Sequence, residues 1–413
     1  MTAFPSHLPL HALRVLDLTA EMGSIGTRLL AGLGAEVIRI EPPGGHADRR
    51  RPPFAGNEPG VERSLVWFQF SAGKLGITLN LDQEDGRAIF RRLVAVADVL
   101  VESQPVGRLA ELGLDYGNLC AIRPDLIQLS LSPFGQAGPY SRFAGSDLIE
   151  VAMGGLMYLC GDPDRPPVRV TAEQAYAQAG IQGTVAALVA VWQHAVTGEG
   201  ALIDLSAEEA MTWTLANNRL TYSGTGAITK RAGGGRADLS GGNRIIYPCA
   251  DGYVGFLRRS DGHIALHHWL DDEHVETGMI VADLQGKPLY GEGAASPELR
   301  ARLEQVLQSF FATHKKRDLV REGQRRNLII AEVASPGDLV ESDHLRQRGF
   351  FERIDVPQFG GSVMAPGAPF VSRAMPWKSG RPPGLGEHNL FVYETLLGLE
   401  RDEVITLRAI GAI

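Results

Sequence analysis

Three cysteines in 413 residues, Cys120, Cys160 and Cys249, are too few and too widely spaced to staple a fold. They form no C-x-x-C pair, so neither a disulfide framework nor a zinc site is expected, and no metal is assigned. Buried thiols in a reducing, cytoplasmic setting are the expectation. Basic charge is scarce as well. The formal net charge is −8 and the one basic run is Arg49-Arg50-Arg51, which argues against nucleic acid as a partner. That triplet reads as a solvated loop or, less simply, an anion contact.

Long apolar runs are also missing. The most apolar stretch, GIQGTVAALVAVW at 180–192, falls short of the length that spans a ~30 Å hydrocarbon core, so it reads as a buried helix and no membrane partner is expected. The N-terminus has no basic segment ahead of an apolar core, so no signal peptide is expected. No G-x-x-x-x-G-K-[ST] loop exists. The stretch Glu21-Met22-Gly23-Ser24-Ile25-Gly26 lacks the glycines of G-x-G-x-x-G, which weakens a dinucleotide reading although Glu41 ends a strand where an acid could meet a ribose. His267 and His268 have no spaced partner for a metal.

What is present alternates. Leu13 to Leu18 and Glu36 to Ile40 are apolar runs flanking a segment of helical spacing. ITLNL, DQEDGRAIFRRLVAVA and DVLVES repeat the strand, helix, strand order, and Leu126 to Ser132 adds a further strand. This predicts an α/β protein with a Rossmann-like large domain. A glycine-rich stretch from Thr221 reads as a loop opening a smaller α+β middle domain. There RIIYPCADGYVGFL makes two strands, followed by helical segments between Ser296 and Val333. The expected organisation is 1–220 for the first part of the large domain, 221–335 for the small domain, and 336–413 for a linker and return. Gly233, Gly234 and Gly235 could form a mobile lid or a plain linker.

Two segments hold candidate chemistry. In GSDLIEVAMGGLMYL, Asp147 is placed to cap a helix whose apolar stripe is Leu148, Val151, Ala152 and Leu156, with Glu150 in reciprocal position. In RPPVRVTAEQAYAQAG a short strand runs into a helix, with Thr171 and Gln174 spaced as a capping box and Glu173 and Tyr176 at the junction.

Together RVLDLT, GTRLLAGLGAEVIRIEPPGG, GKLGITLNL, GRAIFRRLVAVADVLVES, RPDLIQLSLSPFGQAGPYSRFAGSDLIEVAMGGLMYLCG and TGEGALIDLS, in this order, resemble the family III CoA-transferases, the CaiB/BaiF group. The resemblance runs over essentially the whole chain. It implies an interlocked dimer, coenzyme A as a co-substrate with no permanently bound cofactor, and an aspartate nucleophile. That carboxylate attacks an acyl-CoA thioester to give a mixed anhydride and then an aspartyl-CoA thioester.

Counted forward from the retained GSD motif, the nucleophile's position is Tyr176, a phenol that stays protonated at neutral pH. On the CoA side the resemblance assigns Leu79, Asn80 and Leu81 with Ser103, Gln104 and Pro105, and it retains Lys74. An arginine usual in the family is replaced by Glu111, a sign reversal that opposes phosphate. Two readings follow. The chain is the non-nucleophilic subunit of a heteromeric CoA-transferase of the benzylsuccinate type, with a succinyl-CoA-like donor, a carboxylic acid acceptor and a homologous subunit carrying the aspartate. Alternatively it is a stand-alone homodimeric transferase or isomerase that uses Asp147 or Glu173.

Overall fold

The computed structural model describes residues 8–235, 244–258, 263–277, 283 and 295–413. The chain divides into two units. The larger comprises Met1–Leu156, Val170–Leu215 and Ser342–Ile413, and the smaller Met157–Arg169 with Ala216–Glu341. The segment 157–169, expected in the large domain, therefore clusters with the smaller unit.

Six parallel strands organise the larger unit: β1 (Arg14–Leu18), β2 (Glu36–Glu41), β3 (Leu75–Thr78), β4 (Val99–Glu102), β5 (Ile127–Ser132) and β6 (Ala201–Ser206), in the order β3-β2-β1-β4-β5-β6. Strands covered on both faces need apolar side chains on both, which is why RVLDL and EVIRIE read as nearly continuous apolar runs. Leu16, Leu18, Ile38 and Ile40 pack on one face with helix α3 (Glu84–Ala95). Val15, Val37, Leu129 and Leu131 pack on the other with α1 (Ser24–Gly32) and α5 (Gln174–Thr197). Between these helices come α2 (Leu65–Ser71) and α4 (Asp147–Met153), and α6 (Ala207–Thr214) follows β6. Strand order reverses at β1 and β4, and a crevice opens beyond their carboxyl ends, the usual ligand position of such sheets.

Charge is buried inside this sheet. Asp17 accepts hydrogen bonds from Arg39 Nη1 (2.9 Å) and Lys74 Nζ (2.7 Å), with Thr19 and Thr27 completing its shell. All three ionic side chains are at most 1% exposed. Burial pulls the Lys74 ammonium down to about 8, while its two cations hold the Asp17 carboxyl well below the usual range against the opposing effect of burial. Lys74, just ahead of β3, is thus a buried structural partner of Asp17 rather than a cation facing a ligand. Glu41 is likewise engaged, by a bidentate contact from Arg49 (2.6 and 2.8 Å), which leaves it unable to serve a ribose. Arg49 is fully buried, so the arginine triplet is not simply a solvated loop.

The returning segment closes the β3 edge. Gly76 N donates to His388 Nδ1 (3.0 Å) and Thr78 N to Asn389 Oδ1 (2.9 Å), removing free strand donors. The hairpin β10 (Phe351–Val356) and β11 (Gly361–Pro366) belongs to the same unit. In the smaller unit β7 (Ile246–Cys249) and β8 (Gly252–Leu257) form the expected hairpin, and β9 (Ile329–Glu332) adds a third antiparallel strand. Tyr247, Phe256, Trp269, Leu307 and Phe311 fill its core.

Several local expectations are corrected. The segment 329–332 is a strand where helix was read, because Asn327 at φ 57° ends the preceding helix. Thr221 to Thr225 continue a helix, Ala216–Thr225, that stops at Gly226 (φ 71°), rather than starting a loop. The rest of the glycine-rich stretch, 236–243, lies outside the described residues. The three cysteines are half-buried, not fully buried. The apolar 180–192 segment is half of the 24-residue α5, and only one side is covered. Ala179, Gly183, Ala187 and Ala190 pack inward, whereas Val185, Val189, Trp192 and Val196 stand 57–70% exposed in one i, i+4, i+7, i+11 stripe. Among the described residues no helix is long and apolar enough to cross a membrane.

Candidate active site

The junction read as strand into helix is built differently. Residues 167–170 form no strand, since Pro166 and Pro167 offer no N–H to a ladder. No Thr171–Gln174 capping box forms either. Ala172 (φ 66°) and Glu173 (φ 50°) both take the left-handed conformation before α5 starts at Gln174. Two successive non-glycine residues there cost roughly 1–2 kcal/mol each. The Gln174 amide turns back to the carbonyls of Thr171 and Ala172.

The cap of α5 comes from α4. Asp147 Oδ1 accepts from the backbone N–H of Ala175 (2.8 Å) and Tyr176 (3.3 Å), an anion at a helix N-terminus supplied from a distant turn. Asp147 is the first residue of its own helix, whose N-cap Ser146 makes no side-chain bond. The expected stripe is rotated: Asp147, Glu150 and Val151 form the buried face, while Leu148 is 42% exposed.

Glu150 makes no capping hydrogen bond of normal geometry, although the Ser146 amide acts on its carboxylate from the expected reciprocal position. It is 0% exposed, and neither carboxylate oxygen makes a hydrogen bond of normal geometry. Burial pushes its carboxyl up to about 7, and the neighbouring carboxylates of Asp147 and Glu208 push the same way. The amides of its own turn offset part of this. It lies against Gly145 and Pro133, so closely that a Cβ on Gly145 would sit 2.2 Å from Glu150 Oε1. Sequence reasoning missed this site. The one signal was a carboxylate three residues beyond Asp147, on the same helix face.

Gly145 and Pro133 also wall a cavity of about 710 Å³ at the carboxyl ends of β1 and β4. Ala20, Met22, Ser103, Gln104, Pro105 and Tyr176 line it as well. Of the three catalytic candidates only Tyr176 lines this space. Its phenol is pushed up to about 12 by burial, with Glu150 adding to the shift, so it is protonated at neutral pH. Glu173 is held by Arg51, which also meets Glu21 (3.1 Å) and Asp48 (3.6 Å). Burial raises the Glu21 carboxyl against the pull of Arg51. At Asp48 burial is outweighed by the hydrogen bond and charge of His46, and its carboxyl is lowered.

The coenzyme candidates separate. Ser103, Gln104 and Pro105 reach the cavity, with Ser103 Oγ accepting from Ala20 N (2.6 Å) and Gln104 Nε2 donating to Leu18 O (3.0 Å). Leu79, Asn80 and Leu81 do not line it. Leu79 is buried, Leu81 packs on the core, and Asn80 binds the chain end through Ala412 O and Gly411 O. Glu111 lies 3.4 Å from Arg108, which also binds Asp82. Of the lid candidate, Gly233 N donates to Gly161 O (2.9 Å), and Gly234 O accepts from Ile245 and Ile246. The segment is thus tied down within the smaller unit.

Comparison with known proteins places this arrangement. The profile described as CoA-transferase family III matches residues 10–389. Succinyl-CoA:(R)-benzylsuccinate CoA-transferase subunit BbsE of Thauera aromatica is 34% identical over 405 residues, 97% of each chain. Succinate–glutarate CoA-transferase of Agrobacterium fabrum is 31% identical, covering 97% of this chain and 99% of that one. Among solved structures, a CaiB/BaiF family protein from Brucella suis superposes with a TM-score of 0.80 at 30% identity, over 94% of this chain and 99% of that one.

Proposed function

The chain belongs to CoA-transferase family III, and from that premise we propose that it is the non-nucleophilic subunit of a heteromeric acyl-CoA:carboxylate CoA-transferase. A homologous chain carries the aspartate. That carboxylate attacks the thioester carbonyl of a succinyl-CoA-like donor, forming a C–O bond as the C–S bond breaks and CoA thiolate leaves. The thiolate then attacks the aspartyl carbonyl, releasing the donor acid and leaving an aspartyl-CoA thioester. The acceptor carboxylate attacks this thioester in turn, expelling CoA thiolate and forming a second mixed anhydride; the thiolate then attacks the acceptor's carbonyl, and the C–O bond breaks to release acceptor acyl-CoA and the free aspartate.

One observation carries the reading: the side chain that faces the cavity from the start of α5 is a protonated phenol. Its conjugate base would be the wrong nucleophile at neutral pH, and no acyl anhydride forms on it. The same reading is supported by Glu111 and Asp82, which take up Arg108 between them and so withdraw that arginine from a coenzyme phosphate. The exposed stripe on α5 supports a role in assembly, since an apolar row of this length is unusual on a free surface. The relative from Thauera aromatica is by name itself a subunit, BbsE.

The stand-alone alternative finds less support. Asp147 holds the amides of α5 and Glu173 holds Arg51, so using either as acid, base or nucleophile would cost its present bonds.

Purified alone, the chain should show no exchange of CoA between succinyl-CoA and added carboxylic acids, and should gain it with the homologous subunit. Rapid exchange by the lone chain would overturn the proposal. A Tyr176→Asp variant incubated with an acyl-CoA and examined by mass spectrometry for an aspartyl-CoA adduct tells whether this chain still admits the coenzyme.

A further inference from the structure

A second cavity of about 340 Å³ opens on the other face of the sheet, beside β4 and β5. Glu102, Gln128 and Ser130 line it, with Tyr116, Leu109 and Leu202 among the remaining walls. Alternation along β5 puts Gln128, Ser130 and Ser132 on one face and Ile127, Leu129 and Leu131 on the opposite one. On β1 and β2 the corresponding face is filled by leucine and isoleucine. Here it is polar, and all three side chains are at most 4% exposed.

The polar row is not self-satisfied. Gln128 Nε2 donates to Ser130 Oγ (3.1 Å), and Gln128 Oε1 has no partner among the described residues. Turning the amide over does not mend this, since Ser130 would then serve the oxygen and leave the NH₂ unserved. A buried amide atom without a partner is disfavoured, and such a group persists where a ligand or ordered water completes it.

The charges around the cavity have one sign. Glu102 is 3% exposed and accepts from Gln104 N (2.7 Å). Asp115 also lines the space, and neither lysine nor arginine does. Burial raises the Glu102 carboxyl, hydrogen bonds from the Ser130 hydroxyl and the Gln104 amide offset part of the rise, and nearby Asp204 adds to it. Leu109, Ala110 and Leu202 supply apolar wall on the same space.

We propose that this cavity is a binding site for an organic cation with N–H donors, an alkylammonium or alkylguanidinium group on a short apolar stem. Its N–H groups meet Gln128 Oε1 and the Glu102 carboxylate, and the stem lies along Leu109 and Leu202. The site adjoins the larger cavity and shares with it Gln104 and Pro105, two of the coenzyme candidates, while Tyr176 does not line it. The proposal stands whether or not the chain is a transferase subunit.

The probes are n-butylammonium, n-butanol and butyrate, titrated into the full chain at constant ionic strength and followed by saturation-transfer NMR, with a crystal soaked in n-butylammonium to place it. Saturable binding of butylammonium, weaker binding of butanol, none of butyrate, and density beside Gln128 are expected. Gln128→Leu removes the amide at similar volume, and Glu102→Gln removes the charge. Each should weaken butylammonium about tenfold, the effect of one charge-assisted hydrogen bond. Because Gln128→Leu also removes an unpartnered buried atom, it should fold, and a melting temperature checks this. Glu102→Gln keeps the test decisive should the leucine variant fail. Equal binding of butanol, preference for butyrate, no saturation, or unchanged affinity in the folded variants would each overturn the assignment.

Discussion

Replacing Glu150 by glutamine separates the charge of a buried carboxyl from its shape. In the folded chain this carboxyl titrates at about 7, against an ordinary value of 4.5. Below pH 4.5 both folded and unfolded chains hold the proton, and burial carries no charge penalty. Between 4.5 and 7 the unfolded chain releases its proton while the folded one retains it, so stability falls as pH rises. Above 7 both are ionised, and the full cost of about 3 kcal/mol remains. Glutamine cannot ionise, so Glu150→Gln should lack this fall. Its amide brings two N–H groups that also need partners, at roughly 1–3 kcal/mol, so the variant's absolute stability is a poor readout. The divergence with pH is the diagnostic. In a chain of this size about 3 kcal/mol corresponds to a few degrees in Tm. Melting curves of both proteins from pH 5 to 8 should draw apart by that amount, the wild type losing ground. Parallel curves would refute the account and show that Glu150 is ionised in the fold with partners of its own.

Two further substitutions test the scaffold. Asp17→Asn leaves Lys74 and Arg39 facing each other in the sheet without their shared anion, and should lower stability by about 3–5 kcal/mol in urea unfolding; a loss under about 1 kcal/mol would mean the network relaxes. Ala172→Gly relieves a left-handed alanine and should raise stability by about 1 kcal/mol or slightly less, with the cap from Asp147 unchanged; destabilisation would show that the residue's side chain has a packing role.

Much of the fold was legible because parallel strands covered on both faces are largely apolar. The runs at 14–18, 36–41 and 99–102 show this, while 127–132 read as a strand from strict alternation of apolar with polar residues. β6 was harder to see, since the edge strand ALIDLS alternates half-buried and exposed residues and carries Asp204. The junction before α5 was misread for a physical reason. S/T-x-x-E/Q describes a local cap, whereas here the cap arrives from Asp147, 28 residues earlier, and this frees Ala172 and Glu173 to take left-handed backbone. No local pattern reports a contact of that range. The burial of Glu150 was hidden similarly: a helix whose apolar residues suggest one buried face in fact buries the face bearing its two carboxylates.

These corrections bear on the proposed chemistry. A covalent transferase needs one carboxylate that is ionised, accessible and free to form a bond to carbon. Around the Tyr176 cavity the acids are each committed elsewhere. Asp147 is spent on helix amides, and Glu173 and Glu21 share Arg51. Asp48 is drawn to His46, and Glu150 lies behind Gly145 with its proton held to about pH 7. Placing a carboxylate at position 176 alone is therefore the informative substitution. It adds a carboxylate next to Glu150 and Asp147 and keeps the backbone N–H from which Asp147 accepts, so the new aspartate should itself titrate above the ordinary carboxylate range. A Tyr176→Asp protein that admits acyl-CoA should then form its adduct more readily as pH rises from 5 to 8. An adduct yield independent of pH would place the new carboxylate outside the field of those neighbours and contradict the arrangement described for α4 and α5.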